Sequence, residues 1–261
     1  MSRLTEGRLA FLLDERGKKH WMRLERTMIK VPSLGVVDGN KLMEAGDGGN
    51  VTIAGKKFFL LSPGVMDLME TVERGAQIIT PKDAATIVFQ LDLKDGDTVL
   101  EAGLGSGALT TALLHSIAPT GKVLSVEIRN DFTDKGRRNV NRSWAGHLWE
   151  LRVGDIRTEK LDILVDAVVL DMPDPWEALP NVRNYLRCGG RLCAYVPNAN
   201  QLELVVKRMR EMGFIEVRAL ENIQREMEVH DMGVRPSYEM LGHTGYLAFG
   251  RLSCQNVSDK E

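Results

Sequence analysis

The sequence predicts an α/β fold with a mostly parallel, seven-stranded sheet and a small β domain before it. From Pro81 onward, apolar strand patterns alternate with helical patterns, which is typical of a parallel sheet covered on both faces. One of these strands runs into three glycines at alternate positions. The last two strands have no clear helix between them, which indicates an antiparallel pair at one edge of the sheet.

The first part of the chain has the pattern of short strands and turns. Strand patterns cover 9–13, 19–24, 51–53 and 56–61. The last two are joined across Ala54-Gly55, a hairpin signal. Residues 1–62 are therefore predicted to form a small β domain, and 63–80 a connecting segment with an apolar helical patch around Leu68.

Residues 81–253 are predicted to form the larger domain that carries the sheet, and 254–261 a short tail. The predicted helices cover 82–91, 108–117, 131–141, 176–187 and 199–212. The predicted strands cover 98–102, 122–127, 150–153, 166–171, 190–196, 215–220 and 245–251. Open α/β sheets bind ligands beyond the carboxyl ends of their strands, so the residues just after those ends are the candidates for a site.

The composition favours a globular chain. With 261 residues, of which 43% are hydrophobic, the chain can bury a substantial core. No uncharged apolar run approaches the roughly 18 residues of a membrane span, so neither membrane insertion nor secretion is expected. Cys188, Cys193 and Cys254 form no C-x-x-C pair and the five histidines are scattered, so neither a disulfide scaffold nor a metal site is expected. A cytoplasmic location is the default.

The charge balance does not indicate a general nucleic-acid binder. Lys and Arg number 34 against 36 Asp and Glu, a formal net charge of −2, so any RNA binding must rely on local patches. The densest basic stretch is 135–142, and Lys207, Arg208 and Arg210 form a smaller cluster on a predicted helix. Solvated helix faces explain both clusters about as well as RNA does.

The glycine-rich turn after the strand 98–102 predicts a cofactor site. Glycines have no Cβ, so Gly103, Gly105 and Gly107 can take positive φ and let a ligand approach the main chain. The start of the next helix offers unpaired N–H groups. The spacing Gly103-x-Gly105-x-x-Ala108 also fits the relaxed dinucleotide fingerprint. Glu101 favours a cationic cofactor instead, because a pyrophosphate would meet its negative charge.

This arrangement of one acid and three glycines resembles the first motif of class I S-adenosylmethionine methyltransferases. The resemblance predicts cofactor contacts from the turn residues Gly103, Leu104, Gly105, Ser106 and Gly107.

Three further acids follow predicted strands. Glu127 lies roughly 20 residues beyond the glycines, where a carboxylate can accept both ribose hydroxyls of a nucleotide. Asp155 is placed to accept the adenine amino group, or is an ordinary turn residue. Asp171 precedes a proline-stiffened loop beside the predicted methyl-transfer position. Phe132 packs either on the adenine ring or in the core.

Several motifs together resemble those of the tRNA N1-adenine methyltransferases of the TrmI type. Residues 74–85 resemble the segment before the family's cofactor domain, and 101–109 match its glycine motif. Asp171-Met172-Pro173 resembles its catalytic loop, and Arg235-Pro236 with the stretch 242–246 resembles its C-terminal signature. Thr80 departs from the pattern, since many relatives carry Tyr there.

The resemblance implies methylation at N1 of the tRNA T-loop adenosine at position 58, and leaves open a neighbouring adenosine. It implies S-adenosylmethionine bound by 104–107, Glu127, Phe132 and Asp155, with Asp171 facing the target base. The weaker pocket candidates are Tyr195, Gln77 and His243. A homotetramer that contacts tRNA with more than one subunit is also implied.

The chemistry fits these residue types. Adenine N1 carries a lone pair at neutral pH, so the transfer needs placement rather than a strong base. Asp171 is then predicted to orient the base by accepting from its exocyclic amine and offsetting the charge that grows on the ring. Two alternatives stay open: a non-catalytic RNA-binding subunit of a methyltransferase complex, and a methyltransferase for a protein or small molecule.

Overall fold

A computed structural model describes residues 4–73 and 78–254, in two compact units that divide between Glu70 and Thr71. The first unit contains the four predicted strands: β1 (Leu9–Leu13), β2 (Lys19–Arg23), β5 (Asn50–Ile53) and β6 (Lys56–Leu61). They form one antiparallel sheet in the order β2-β1-β6-β5.

The first unit also contains elements that the sequence pattern did not predict. A hairpin is formed by β3 (Met28–Val31) and β4 (Gly35–Asp38), and α1 (Gly39–Ala45) follows it. These strands are only four residues long, too short for a clear alternating pattern. The apolar patch around Leu68 is helical as predicted, in α2 (Val65–Glu70). Fully buried side chains of Leu12, Leu24, Leu42 and Leu60 lie in the core of this unit.

The second unit contains the predicted seven-stranded sheet. Its strands are β7 (Thr98–Ala102), β8 (Lys122–Glu127), β9 (Trp149–Val153), β10 (Val165–Asp171), β11 (Leu186–Val196), β12 (Phe214–Glu221) and β15 (Tyr246–Leu252). The order is β12-β15-β11-β10-β7-β8-β9. β15 is antiparallel to both of its neighbours, while β7 through β11 pair in parallel with one another. The predicted antiparallel pair at one edge is therefore confirmed.

Five longer helices flank this sheet: α3 (Pro81–Gln90), α4 (Ala108–Ile117), α5 (Asn130–Val140), α6 (Pro175–Val182) and α7 (Ala199–Glu211). The helix predicted at 176–187 is wrong in its second half. Tyr185 accepts a backbone hydrogen bond from Val165 through its carbonyl, and Leu186 already pairs with β10. These residues therefore pair with the sheet, and the helix ends before them at Val182.

Two features near the end of the second unit were not expected. A hairpin of β13 (Met227–His230) and β14 (Gly233–Pro236) precedes β15. Cys188 and Cys254 form a disulfide, although the sequence pattern gave little support for disulfide bonding. The two residues are 66 positions apart in sequence, but the pairing of β11 with β15 brings their neighbourhoods together.

No helix among the described residues has both the length and the apolar character needed to cross a membrane. In the same parts of the chain, no group of three or more His, Cys, Asp or Glu side chains is arranged to hold a metal ion.

Candidate active site

A cavity of about 610 Å³ opens beyond the carboxyl ends of β7, β8, β9, β10 and β11. Six of the predicted site residues line it: Gly103, Gly105, Glu127, Phe132, Asp155 and Asp171. The predicted turn residues Leu104, Ser106 and Gly107 are not among the residues that line the cavity. The cavity is also lined by Arg129, Arg157 and Gln201, which the sequence pattern did not single out, and by Tyr195.

The glycine turn is closely packed at its two ends and open in the middle. A Cβ on Gly103 would lie 1.9 Å from the carbonyl oxygen of Asp171, and one on Gly107 would lie 2.8 Å from the Val140 side chain. A Cβ on Gly105 would meet no heavy atom of the described residues within 4 Å. All three have positive φ, at 81°, 52° and 77°. The main chain at Gly105 is therefore the part of the turn that a ligand can approach.

Leu104 and Ser106 anchor the turn against α5. The Leu104 side chain packs so tightly on Gly136 that a Cβ there would lie 2.5 Å from it. The Ser106 carbonyl accepts a hydrogen bond of 2.9 Å from the Asn139 side chain. Two of the predicted turn residues therefore hold the backbone in place through contacts behind the cavity.

Glu127, the last residue of β8, binds the same turn through its carboxylate. Its Oε2 accepts from the backbone N–H groups of Leu104 at 3.0 Å and Gly105 at 3.2 Å. Its Oε1 accepts from the backbone N–H of Arg129 at 2.8 Å. The side chain is buried. Glu127 thus ties the second strand of the site to the glycine turn.

Two arginines that line the cavity, Arg129 and Arg157, contact predicted site residues. The Arg129 guanidinium lies 4.1 Å from the ring centroid of Phe132, a cation–π contact. Arg157 binds both carboxylate oxygens of Asp155 and also reaches Asp174 at 2.7 Å. These hydrogen bonds from Arg157 lower the pKa of Asp155 below its ordinary value. The Asp155 carboxylate is therefore firmly ionised.

Asp171, the last residue of β10, has a raised pKa, in contrast to the lowered pKa of Asp155. No hydrogen-bond donor among the described residues contacts its carboxylate. Burial, with a smaller contribution from the charge of Glu127, raises the pKa of Asp171 to about 7. Tyr195 lies opposite it on β11, donates its hydroxyl to the Thr244 carbonyl and packs its ring on Gly245. Within the described parts of the chain, Asp171 is thus an acceptor without a protein donor at a strand end.

Glu101 does not face the cavity, which corrects the expectation that its charge meets the ligand. Its side chain is fully buried beneath the turn, where Oε2 accepts from the hydroxyls of Thr110 and Ser125. Oε1 has no hydrogen-bond partner among the described residues. Burial raises the pKa of Glu101 to about 8, so this carboxyl is mostly protonated at neutral pH.

The weaker pocket candidates are placed differently. The ring of His243 is bound by Glu221 and the Pro197 carbonyl and does not line the cavity. Gln77 lies outside the described residues. Thr80 donates its hydroxyl to Asp83 at 2.8 Å, at the start of α3.

The sheet order and the site define the class. A glycine turn after the first parallel strand, an acid at the end of the second, and an antiparallel β15 inserted between β11 and β12 together form the class I methyltransferase fold. Comparison with known proteins then gives the family. Residues 59–235 match the family model described as tRNA methyltransferase complex GCD14 subunit, and the chain belongs to this family.

Named relatives agree with this assignment. The chain is 33% identical over 278 residues to the tRNA (adenine(57)-N(1)/adenine(58)-N(1))-methyltransferase TrmI of Methanocaldococcus jannaschii, covering 96% of this chain and 97% of the relative. It is 34% identical over 215 residues to the tRNA (adenine(58)-N(1))-methyltransferase TrmI of Thermus thermophilus, covering 82% and 84%.

Two solved structures are similar over nearly the whole chain. A SAM-dependent O-methyltransferase from Thermotoga maritima superposes with a TM-score of 0.85 at 30% identity, covering 98% of this chain and 96% of that one. The tRNA (m1A58) methyltransferase TrmI from Aquifex aeolicus gives a TM-score of 0.77 at 26% identity, covering 95% and 98%. The methyltransferase interpretation is therefore confirmed over the dinucleotide-binding alternative.

Proposed function

We propose that this protein transfers a methyl group from S-adenosylmethionine to N1 of the T-loop adenosine at position 58 of tRNA. One observation carries the proposal beyond family membership. The backbone of Asp171 packs directly on Gly103, so the carboxylate at the end of β10 is fixed against the turn that would hold the methyl donor. The turn proposed to bind S-adenosylmethionine and the Asp171 carboxylate proposed to orient the base are thus held together by direct packing.

The residues present fit S-adenosylmethionine. Gly105 leaves its main chain open, and the buried ring of Phe132 lines the cavity beneath Arg129. The ionised Asp155 would accept the adenine amino group in exchange for one of its hydrogen bonds from Arg157. Glu127 would take the ribose hydroxyls. A carboxylate has about four acceptor sites, and three N–H groups already use Glu127. The 3.2 Å bond from Gly105, the longest of the three, is the one that a ligand would replace.

The bound cofactor supplies an electrophilic methyl group on a sulfonium. Asp171 accepts a hydrogen bond from the exocyclic amine of adenine and orients N1 for attack. Its negative charge offsets the positive charge that grows on the ring. Because adenine N1 is unprotonated at neutral pH, Asp171 needs no proton-transfer role. The T-loop base has to leave its stack to reach this cavity, at a cost of a few kcal/mol met by pocket contacts.

We also propose a homotetramer located in the cytoplasm, where tRNA is processed. The hairpin β13–β14 and the segment after it support self-association, because their apolar side chains are largely exposed. Val229 is 75% exposed, Met232 98% and Tyr238 82%. A two-stranded hairpin is marginal by itself, so a second copy of this chain is the partner that would cover it. Sedimentation showing only monomers would remove this part of the proposal.

One experiment tests the reaction and its alternatives. The protein is incubated with S-adenosylmethionine and unmodified tRNA, the tRNA is digested, and N1-methyladenosine is measured. Its appearance at position 58 supports the proposal, and a second site at 57 would match the specificity for which the M. jannaschii relative is named.

The alternatives give different results in the same experiment. Calorimetric binding of S-adenosylmethionine without methylated tRNA would favour a protein or small-molecule acceptor, in line with the O-methyltransferase name of the T. maritima protein. Failure to bind the cofactor would favour a non-catalytic RNA-binding subunit.

A further inference from the structure

Gln201 lines the cavity and carries a buried side-chain oxygen that has no hydrogen-bond partner among the described residues. The residue lies in the first turn of α7 and lines the cavity. Its Nε2 donates to the carbonyl oxygen of Pro173 at 2.6 Å. A carbonyl can only accept, so this contact fixes which end of the amide is nitrogen. The Oε1 atom is buried and has no hydrogen-bond partner in the described parts of the chain.

This unsatisfied oxygen is unusual in the molecule. In residues 4–73 and 78–254, Glu101 carries the other buried side-chain oxygen without a partner, and Glu101 does not line the cavity. Leaving a buried acceptor unpaired costs about 1–3 kcal/mol, so such atoms call for a ligand or another explanation. Gln201 is also held firmly, because the Asn198 side chain accepts from its backbone N–H at 3.1 Å.

The sheet order places Gln201 at the acceptor end of the cavity. Glu127 and Asp155 follow β8 and β9 on one side of the glycine turn. Asp171 follows β10 on the other side, and α7 follows β11 one strand further. Through Pro173, Gln201 contacts the loop that begins at Asp171. Gln201 therefore lies on the side of the cavity where Asp171 is proposed to hold the base.

We propose that Gln201 is a specificity-determining residue whose Oε1 accepts the second hydrogen of the target adenine's exocyclic amine. This inference rests on the proposed function. The amine has two hydrogens: Asp171 takes one and Gln201 takes the other. A purine with a carbonyl at this position would set oxygen against oxygen at Gln201 and at the ionised form of Asp171, so guanine and hypoxanthine are disfavoured.

The test is a double-mutant cycle in which both residue 201 of the enzyme and the target base are changed. Wild type and Gln201→Leu are compared on tRNA carrying either adenosine or purine riboside, which lacks the amine, at the target position. Single-turnover rates are measured at saturating S-adenosylmethionine. On adenosine we expect Gln201→Leu to lose about 10- to 100-fold, the range for one buried acceptor. On purine riboside we expect the two enzymes to agree within about twofold, because the contact is already missing.

Controls separate this role from simple bracing of the loop. Gln201→Glu keeps an acceptor but loses the N–H that binds Pro173, so it should still distinguish adenosine from purine riboside. An equal loss for Gln201→Leu on both bases would overturn the proposal and leave Gln201 a structural brace. If purine riboside reacts too slowly to time, the same four comparisons are made as tRNA dissociation constants with S-adenosylhomocysteine bound. Wild type that methylates no adenosine in tRNA would instead refute the proposed function.

Discussion

The two ends of the cavity satisfy their acceptors in opposite ways. At the cofactor end, the carboxylates of Glu127 and Asp155 are bound by backbone N–H groups and by Arg157. At the other end, the amide oxygen of Gln201 has no hydrogen-bond partner among the described residues, and no hydrogen bond contributes to the pKa shift of Asp171. Burial raises the pKa of Asp171 to about 7, while Arg157 lowers that of Asp155. In the proposed assignment, the end that holds the cofactor is fixed in advance and the end that receives the base is completed by the substrate.

Gly103 joins the two ends, so its replacement should have the largest effect. Gly103→Ala puts a Cβ 1.9 Å from the Asp171 carbonyl at a φ of 81°, which displaces both the turn and the strand end. We expect cofactor binding and methylation to fall by more than about 100-fold, with an unfolding free energy lower by about 2 kcal/mol or more.

Gly105→Ala is the matched control, because its Cβ meets no described atom within 4 Å. It should lose cofactor affinity while its unfolding free energy falls by only about 1 kcal/mol. Calorimetry and chemical denaturation check both variants. Similar destabilisation of the two would show that Gly103 has no special role in joining the ends.

Glu127→Ala should act mainly on the cofactor end, with a smaller lowering of the pKa of Asp171 through the lost charge. The change frees the N–H groups of Leu104 and Gly105 and removes the acceptor proposed for the ribose. We expect the dissociation constant for S-adenosylmethionine to rise about 10- to 100-fold, the range for bonds to a charged group. The kcat at saturating cofactor should change little. A large fall in kcat with unchanged cofactor affinity would contradict the division between the two ends.

The base end should respond to pH. With its pKa raised to about 7, Asp171 changes from mostly protonated to mostly ionised around that pH, so kcat/KM for tRNA should rise as pH passes through about 7. A bound cation favours the carboxylate, so the profile measured at saturating cofactor should move to lower pH. In Asp171→Asn this step should be absent. The same step persisting in that variant would assign it to another group.

The smallest effect concerns the buried acid beneath the turn. Between the ordinary pKa of 4.5 and its folded value of about 8, Glu101 holds its proton in the folded state but loses it on unfolding. Its contribution to stability is therefore present at low pH and lost as pH rises. Glu101→Gln mimics the protonated form, so it should raise the melting temperature at pH 8.5 more than at pH 5. An equal shift at both pH values would contradict the raised pKa.

The local sequence pattern predicted the positions of most residues that line the cavity, while the side-chain directions depend on contacts between distant parts of the chain. The positions of Glu127 and Asp171 were predictable because each closes an apolar strand, and strand ends meet at one edge of a parallel sheet. The burial of the Glu101 side chain was not predictable, because it depends on hydrogen bonds from the hydroxyls of Thr110 and Ser125. Its place inside an otherwise apolar strand was the available signal.

Gln201 and the disulfide show the same limit. A glutamine in the first turn of a helix has the pattern of a solvent-exposed residue, and only its contact with Pro173 reveals the free oxygen. Cys188 and Cys254 are paired through the neighbouring strands β11 and β15, which no local spacing indicates. The helix predicted across Tyr185 failed for a similar reason, because pairing with β10 outweighs local helical pattern there.

The most direct test of the account compares Asp171→Ala with wild type in two assays on the same preparation. One is calorimetric binding of S-adenosylmethionine, and the other is single-turnover formation of N1-methyladenosine in unmodified tRNA. We predict cofactor affinity within about threefold of wild type and a methylation rate lower by about 100-fold or more, since only the orienting acceptor is lost. Methylation at the wild-type rate in this variant would contradict the central claim that Asp171 steers the base.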